Sequence, residues 1–276
     1  MASDSPGHRS GDAPRRADAR ALLGNSSVAL LLGTGLAVVV HEVGHWVAGA
    51  LLGSSSQLFG LWVEHSPPLT GRDAALAALA GPVLSLLIGT AMQILQPFRF
   101  RGDFAHLLWI WIASGSLGAG SVQLAIAPLA GDVAVAIDGF GLPPWSAWVA
   151  AVLGVLGLIG VAQQWAIHSV RLCGQDSGRL RCFTWYPWLI GAVLNPLLAL
   201  GLIAAARPAL DTAETMAVVL AATAYSLFAP VSLAFAGRVT ELEEPLLVKP
   251  FPVVGLLALV ALVVIEFALG TGPRVG

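Results

Sequence analysis

Seven segments of about 20 mostly apolar residues recur along the chain, each long enough to cross the hydrocarbon core of a bilayer as a helix. In lipid, the polar groups of the backbone must be hydrogen-bonded within the protein, and apolar runs of this length satisfy them as α-helices. We therefore expect an all-α, polytopic transmembrane bundle of about six or seven helices. The segments lie near residues 28–52, 74–95, 104–127, 146–166, 187–206, 213–235 and 251–270.

The composition agrees with a membrane protein. Hydrophobic residues make up 57% of the chain and charged residues 11%, whereas a soluble domain has about 25% charged residues. We expect an integral, multi-pass protein of a prokaryotic plasma membrane, with the lipid bilayer as one partner. No basic patch indicates nucleic acid, and the sequence does not indicate an oligomeric state.

Two segments outside the spans have features of their own. Residues 1–24 are polar and rich in Ser, Gly, Pro and Asp, which predicts a disordered N-terminal tail. The loop 53–73 shows a weak alternation of apolar and polar residues, which is compatible with a short hairpin against the membrane.

The distribution of Lys and Arg favours a cytoplasmic N-terminus. With seven spans and this orientation, 11 of the 14 Lys and Arg residues lie on the cytoplasmic side, leaving Arg72, Arg207 and Arg274 outside.

Two histidines and a carboxylate interrupt the first apolar segment, in the order His41-Glu42-Val43-Gly44-His45. A charged side chain at the centre of a bilayer costs roughly 2.5–3.5 kcal/mol on insertion scales, so a compensating partner is expected. Residues i and i+4 share one face of a helix, so His41 and His45 can both bind one zinc ion, with Glu42 placed to act on a water molecule. The alternative is that the three side chains hydrogen-bond to neighbouring helices and stabilise the bundle.

A third ligand is expected from another span, because catalytic zinc normally has three protein ligands. Asp132 is the first candidate, since Pro128 and Gly131 break the helix before it and allow the backbone to turn its carboxylate inward. Asp138 is the alternative, because Asp-Gly is itself a turn sequence. Further candidates, all in or at the ends of spans, are His106, His168 and Glu266.

Three segments carry a resemblance to a known family. The first, His41 to Gly53, matches H-E-x-x-H followed by small residues and a glycine turn. The second, Ala80 to Leu87, is similar to A-G-P-x-x-N. The third, Pro128 to Asp132, is similar to N-x-x-P…D-G. In this order they resemble the site-2 protease family of intramembrane zinc metalloproteases. The resemblance covers the first half of the chain, which predicts a metalloprotease-like core at 25–140 and additional transmembrane helices at 141–276.

The sequence departs from the family pattern at three places. Ser85 stands where the family commonly has Asn, and Gln123 or Ala125 stands near the usual Asn of the third segment. Val133 follows Asp132 where Gly is usual.

The resemblance implies a zinc metalloendopeptidase that hydrolyses a peptide bond in or near a transmembrane helix of another membrane protein. It implies that His41, His45 and Asp132 bind Zn²⁺ and that Glu42 is the general base. Two other functions fit the same residues: a non-proteolytic zinc-binding membrane scaffold or regulator, and an ion- or proton-coupled transporter that uses them as a relay.

Overall fold

The structure is a computed structural model that describes residues 19–206, 215–216, 219, 224–240 and 246–271. In this part of the chain, helices form nearly all the regular structure, with a single two-stranded hairpin. A π-helical turn, Arg181–Trp185, joins the helices Ser177–Leu180 and Tyr186–Ala206. The elements are α1 (Ala19–Leu51), β1 (Ser55–Leu58), β2 (Val63–Ser66), α2 (Gly71–Leu95), α3 (Phe104–Ala125), α4 (Asp132–Gly139), α5 (Trp145–Cys173), α6 (Ser177–Leu180), α7 (Tyr186–Ala206), α8 (Phe228–Ala236) and α9 (Val253–Thr271).

Six helical segments in the described residues are long and apolar enough to cross a membrane: α1, α2, α3, α5, the continuous α6–α7 segment, and α9. This confirms the predicted all-α, multi-pass bundle. The boundaries differ at two places. Helix α1 begins at Ala19, inside the stretch 1–24 assigned to a disordered tail, and residues 1–18 of that stretch lie outside the described residues. Helix α5 extends to Cys173, beyond the predicted end at 166.

The predicted span 213–235 is described only in part, because residues 213–214, 217–218 and 220–223 lie outside the described residues. The described helices on either side of these residues are α7 and α8. Helix α7 runs parallel to α1, since Gly191 lies against Leu30 and the Asn195 amide contacts Thr34 further along. Helix α8 ends beside the turn after α5, where the Ala236 carbonyl accepts a hydrogen bond from Gln175 at 3.1 Å.

Helix α1 is the central element of the bundle, and several of its buried polar side chains are hydrogen-bonded to neighbouring segments. Asn25 donates to the Ala21 carbonyl (2.8 Å) and to the Lys249 carbonyl (2.7 Å). Ser26 donates to the Phe183 carbonyl and accepts from the Trp111 indole. A buried polar group without a hydrogen bond costs free energy, so these bonds fix the register of α1 against its neighbours.

An aromatic cluster fills the bundle toward the N-terminal ends of α1 and α3. The rings of Trp111 and Trp165 lie 4.1 Å apart, and Trp165 stacks on Phe183 at 5.2 Å. Large apolar side chains on the outer helices α5 and α9 are exposed instead, as lipid contact requires. Examples are Val152, Leu153, Leu156, Val254, Leu257 and Val260.

The hairpin after α1 confirms the strand pair expected in the loop 53–73. Strands β1 and β2 are antiparallel, with Ser55 opposite Ser66 and Leu58 opposite Val63. The hairpin is fixed to α1, because the Trp46 indole donates to the Ser56 carbonyl (3.0 Å). Gly49 allows this contact: a Cβ there would collide with the His65 ring.

Asp103 caps the N-terminus of α3 and gives a first test of the fold. Its Oδ1 accepts from the backbone N–H groups of Ala105 and His106, and its Oδ2 pairs with Arg101 at 2.8 Å. Burial raises the pKa of Asp103, but these hydrogen bonds and the Arg101 charge outweigh it, so the pKa lies below its usual value.

We expect Asp103→Ala to destabilise the protein by about 1 kcal/mol, the usual loss for a removed N-cap, and Asp103→Asn to keep most of the cap. Because the folded pKa is lowered, the carboxylate's contribution is present above the unfolded pKa and is lost as the pH falls through the folded one. Thermal unfolding in detergent measures both effects. Equal stability of the alanine variant and the wild type would contradict the role of the cap.

Candidate metal centre in the helix bundle

The two histidines of the H-E-x-x-H segment lie where α1 and α2 are in close contact. A Cβ at Gly44 would stand only 2.6 Å from the Ala80 carbonyl oxygen, so the helix backbones touch at this point. On the α2 side, a Cβ at Gly81 would occupy the position of the His45 ring. Glycine at these positions is therefore what lets the imidazole of His45 lie between the helices.

Asp132 approaches the histidines from the break between α3 and α4. Helix α3 ends at Ala125, and Gly131 has a φ of 92°, in the region that favours glycine. Helix α4 then begins at Asp132, whose N–H donates to Oε1 of Gln123 on α3. The helix break predicted from Pro128 and Gly131 is confirmed, and α4 is an element that the sequence did not predict.

One oxygen of Asp132 faces both imidazoles. Its Oδ2 lies 2.9 Å from Nε2 of His41 and 3.4 Å from Nε2 of His45. The two rings meet edge to face, with their centroids 4.7 Å apart. The two Nε2 atoms and a carboxylate oxygen thus converge on one point, although His41 and Asp132 are 91 positions apart in the sequence.

The other nitrogen of each ring is held by the protein. Nδ1 of His45 donates to the Ala77 carbonyl of α2 at 2.8 Å, and Nδ1 of His41 is hydrogen-bonded to Ser85 Oγ at 3.2 Å. A carbonyl can only accept, so in neutral His45 the proton is on Nδ1 and the lone pair of Nε2 is available for a metal ion. Partners of this kind orient histidine ligands in metal sites.

Glu42 completes the cluster. One ligand atom each from His41, Glu42 and His45 lies within 4.8 Å of the others, a grouping that could hold a metal ion. All three side chains are buried, with exposed fractions of 2%, 7% and 9% in that order. Two carboxylates, Glu42 and Asp132, therefore face the same pair of imidazoles.

The electrostatics of the site follow from its burial and its charges. Burial raises the pKa of Asp132, but hydrogen bonds and charges from His41 and His45 outweigh this effect and hold the pKa well below its usual range. His65, on the hairpin at the edge of the site, has a lowered pKa because it is partly buried and lies near His45.

A cavity of about 790 Å³ opens onto the cluster. His41, Glu42, His45 and Asp132 lie in its wall. The rest of the wall includes hairpin residues such as Trp62 and His65, apolar residues of α2, and Leu129 and Ala130 of the turn before α4. A space of this size suits a ligand larger than a metal ion and its waters.

The remaining candidates from the sequence lie elsewhere. Asp138 is exposed near the end of α4, and no described contact joins it to either histidine. His168 is hydrogen-bonded to Gln93, and the rings of His168 and His106 both lie 5.4 Å from the Trp109 ring. Glu266 is buried on α9 against Gly60 of the hairpin.

Two residues of the site were missed by sequence reasoning. His65, in the loop 53–73, lines the cavity, and its Nδ1 is hydrogen-bonded to Ser56 Oγ at 2.8 Å. Tyr225 comes from the second half of the chain, outside the core expected at 25–140, and lines the same cavity. No local pattern marks either residue, since both reach the site through tertiary packing.

The donor set fits a catalytic metal. Two imidazole nitrogens and a carboxylate oxygen are a common ligand set for catalytic zinc, which keeps a further position for water. Imidazole also suits other divalent transition metals, so the ligands alone do not specify zinc.

Comparisons of the chain with protein-family models, curated proteins and solved structures found no significant match.

Proposed function

We propose that this protein is an intramembrane zinc metalloprotease of the site-2 protease type, which hydrolyses a peptide bond in or near a transmembrane segment of another membrane protein. The observation that carries the proposal is the convergence of two imidazole Nε2 atoms on one oxygen of Asp132, beside Glu42 and in the wall of a large cavity. A cluster of polar side chains that only stabilised the helix bundle would not have to line a cavity of this size.

The ligands would be His41, His45 and Asp132. When bound, a zinc ion supplies Lewis acidity, which polarises a carbonyl oxygen and acidifies a water molecule. The protein supplies the orientation of the ligands, because Ala77 and Ser85 hold the outer nitrogens of both rings and Gln123 holds the backbone of Asp132.

Glu42 is the proposed general base. It follows His41 on the same helical turn, so its carboxylate lies beside the ligands. It would accept a proton from the attacking water and later deliver that proton to the leaving amine nitrogen. Such proton transfers contribute about 10²–10⁴-fold to the rate.

The cavity suits a substrate segment that is locally extended. In an intact helix, each carbonyl is hydrogen-bonded to an N–H four residues further along, and the backbone is enclosed by side chains. Local unwinding of the substrate helix exposes a carbonyl group. The wall of the cavity is mainly apolar, so the side chains of the unwound residues can leave the lipid for a similarly apolar surface.

The location of the protein in a prokaryotic plasma membrane remains a prediction.

Metal analysis of the purified protein tests the proposal. We expect one zinc ion per wild-type chain, and much less than one in His41→Ala and Asp132→Ala, because each substitution removes a ligand. Asp138→Ala is the matched control for Asp132→Ala and is expected to keep its zinc.

Inductively coupled plasma mass spectrometry, with circular dichroism as a check of helicity, measures these values. A folded wild-type protein that takes up no zinc would contradict the metalloprotease proposal and would favour a transporter. If Asp138→Ala lost zinc and Asp132→Ala kept it, the third ligand would be misassigned.

A further inference from the structure

Tyr225 brings a phenol group to the cavity from the part of the chain that carries no recognised motif. It lies directly before α8 and is buried, with an exposed fraction of 3%. Its ring centroid is 6.1 Å from that of His41, with an angle of 45° between the rings. The residue therefore lies beside His41 in the wall of the cavity.

The position of Tyr225 is fixed by α1 and α3. A Cβ at Gly118 of α3 would lie only 2.6 Å from the Tyr225 carbonyl oxygen, so the turn before α8 rests directly on that helix. The Tyr225 side chain packs against Val38 of α1 and Ala119 of α3. Because α1 also carries His41, the same helix helps to position both the phenol and the imidazole.

The hydroxyl group of Tyr225 makes no hydrogen bond within the described part of the chain, although the charges of Glu42 and Asp132 act on it. Because Tyr225 lies in the wall of the cavity, its phenol can donate a hydrogen bond to an acceptor of a ligand bound there. The phenol ring lies beside His41, and Glu42 is the next residue on the helix. A hydrogen-bond acceptor at the reacting centre would therefore lie next to the Tyr225 hydroxyl.

We propose that the Tyr225 hydroxyl is a catalytic hydrogen-bond donor to the carbonyl oxygen of the scissile peptide, an inference that rests on the proposed protease function. During attack, the water oxygen bonds to the carbonyl carbon, the π electrons of the C=O bond move onto its oxygen, and Glu42 takes the water proton. The Tyr225 O–H stabilises the negative oxygen and keeps its own proton. The C=O bond then re-forms, the C–N bond breaks, and the proton on Glu42 passes to the amine nitrogen.

Tyr225→Phe tests this role, because it removes only the oxygen and retains the ring that packs on Val38 and Ala119. Loss of one oxyanion donor typically lowers kcat by about 10²–10³-fold. We expect a decrease of this size with unchanged zinc content and little change in KM, because the donor acts mainly in the transition state. The matched control is Tyr186→Phe, since Tyr186 is the only other tyrosine of the chain and lies 40% exposed at the start of α7.

The assay uses full-length protein in liposomes with a panel of tagged single-span helices, and the cleaved bond is located by mass spectrometry. A phosphonamidate peptide that mimics the tetrahedral form of that bond supplies a binding measurement without turnover. Its affinity is expected to fall in Tyr225→Phe by about the same factor as kcat/KM, because it resembles the transition state.

The outcomes separate the two levels of the proposal. A zinc-loaded wild-type protein that cleaves no helix of the panel counts against the protease function itself. A wild type that cleaves, with Tyr225→Phe equal to it in kcat and in affinity for the phosphonamidate, overturns the role of Tyr225 alone. Loss of zinc from Tyr225→Phe would also overturn that role, because it would make the residue structural.

Discussion

Glu42→Gln is expected to retain one zinc ion per chain and to lower the rate of peptide cleavage by about 10²–10⁴-fold, the usual contribution of a general base. The amide has nearly the shape of the carboxylate, so the packing around the buried side chain of residue 42 is expected to be preserved. It cannot take a proton from water at neutral pH, so the loss should appear in kcat. Cleavage of a tagged transmembrane peptide in liposomes, with parallel metal analysis, measures both quantities.

The matched control is Glu64→Gln, in β2 of the hairpin and outside the cavity wall, which is expected to cleave like the wild type. The zinc content and the cleavage activity of the wild type also distinguish a protease from a zinc-binding scaffold. A wild-type protein that binds zinc and cleaves nothing would act as a binding protein or regulator. If Glu42→Gln cleaved as fast as the wild type, Glu42 could not be the base, and the mechanism proposed for this site would be wrong.

Gly81→Ala is expected to reduce zinc content well below one ion per chain and to abolish cleavage with it. A methyl group at this position would collide with the imidazole of His45, including its Nε2 atom, so the ring would have to leave its place. Overpacking of this kind typically costs about 1–3 kcal/mol, and here the displaced group is a proposed ligand. The substitution tests the close approach of α1 and α2 without changing any group that could bind metal.

Gly160→Ala in α5 is the matched control, because a Cβ there would meet no atom within 4 Å. Alanine is favoured over glycine in a helix by about 1 kcal/mol, so this variant should be as stable as the wild type or slightly more stable. Metal analysis and thermal unfolding of the two variants give the comparison. Full zinc occupancy in Gly81→Ala would mean that His45 does not bind the metal through Nε2 in this packing.

Much of the fold was predictable because a bilayer imposes a length on apolar helices. The runs that became α2 and α3 were predicted within three residues at each end. The ends of α1 and α5 were less predictable, because polar residues there continue the helix beyond the hydrocarbon core. Asn25, for example, looks like part of a polar boundary, but it is buried and bonded to the Lys249 carbonyl.

The candidate site also has a part that was predictable from the sequence and a part that was not. The i, i+4 spacing of His41 and His45 is a local property of a helix, so their common face followed from sequence alone. The choice between Asp132 and Asp138 did not follow, because both residues come after a helix break and differ by six positions. The structure places Asp132 against both histidines and leaves Asp138 exposed, since Gly131 and Gln123 set the direction in which α4 begins.

The sequence by itself determined that this chain is a multi-pass helical membrane protein with two histidines and a glutamate on one helical turn, because hydrophobic length and helical periodicity act within a single segment. Only the tertiary structure decided which carboxylate meets the histidines, which glycines make room for them, and that Tyr225 and the hairpin border the same cavity. Those contacts join residues far apart in the chain, and they depend on how close the helices can pack, which no single segment encodes.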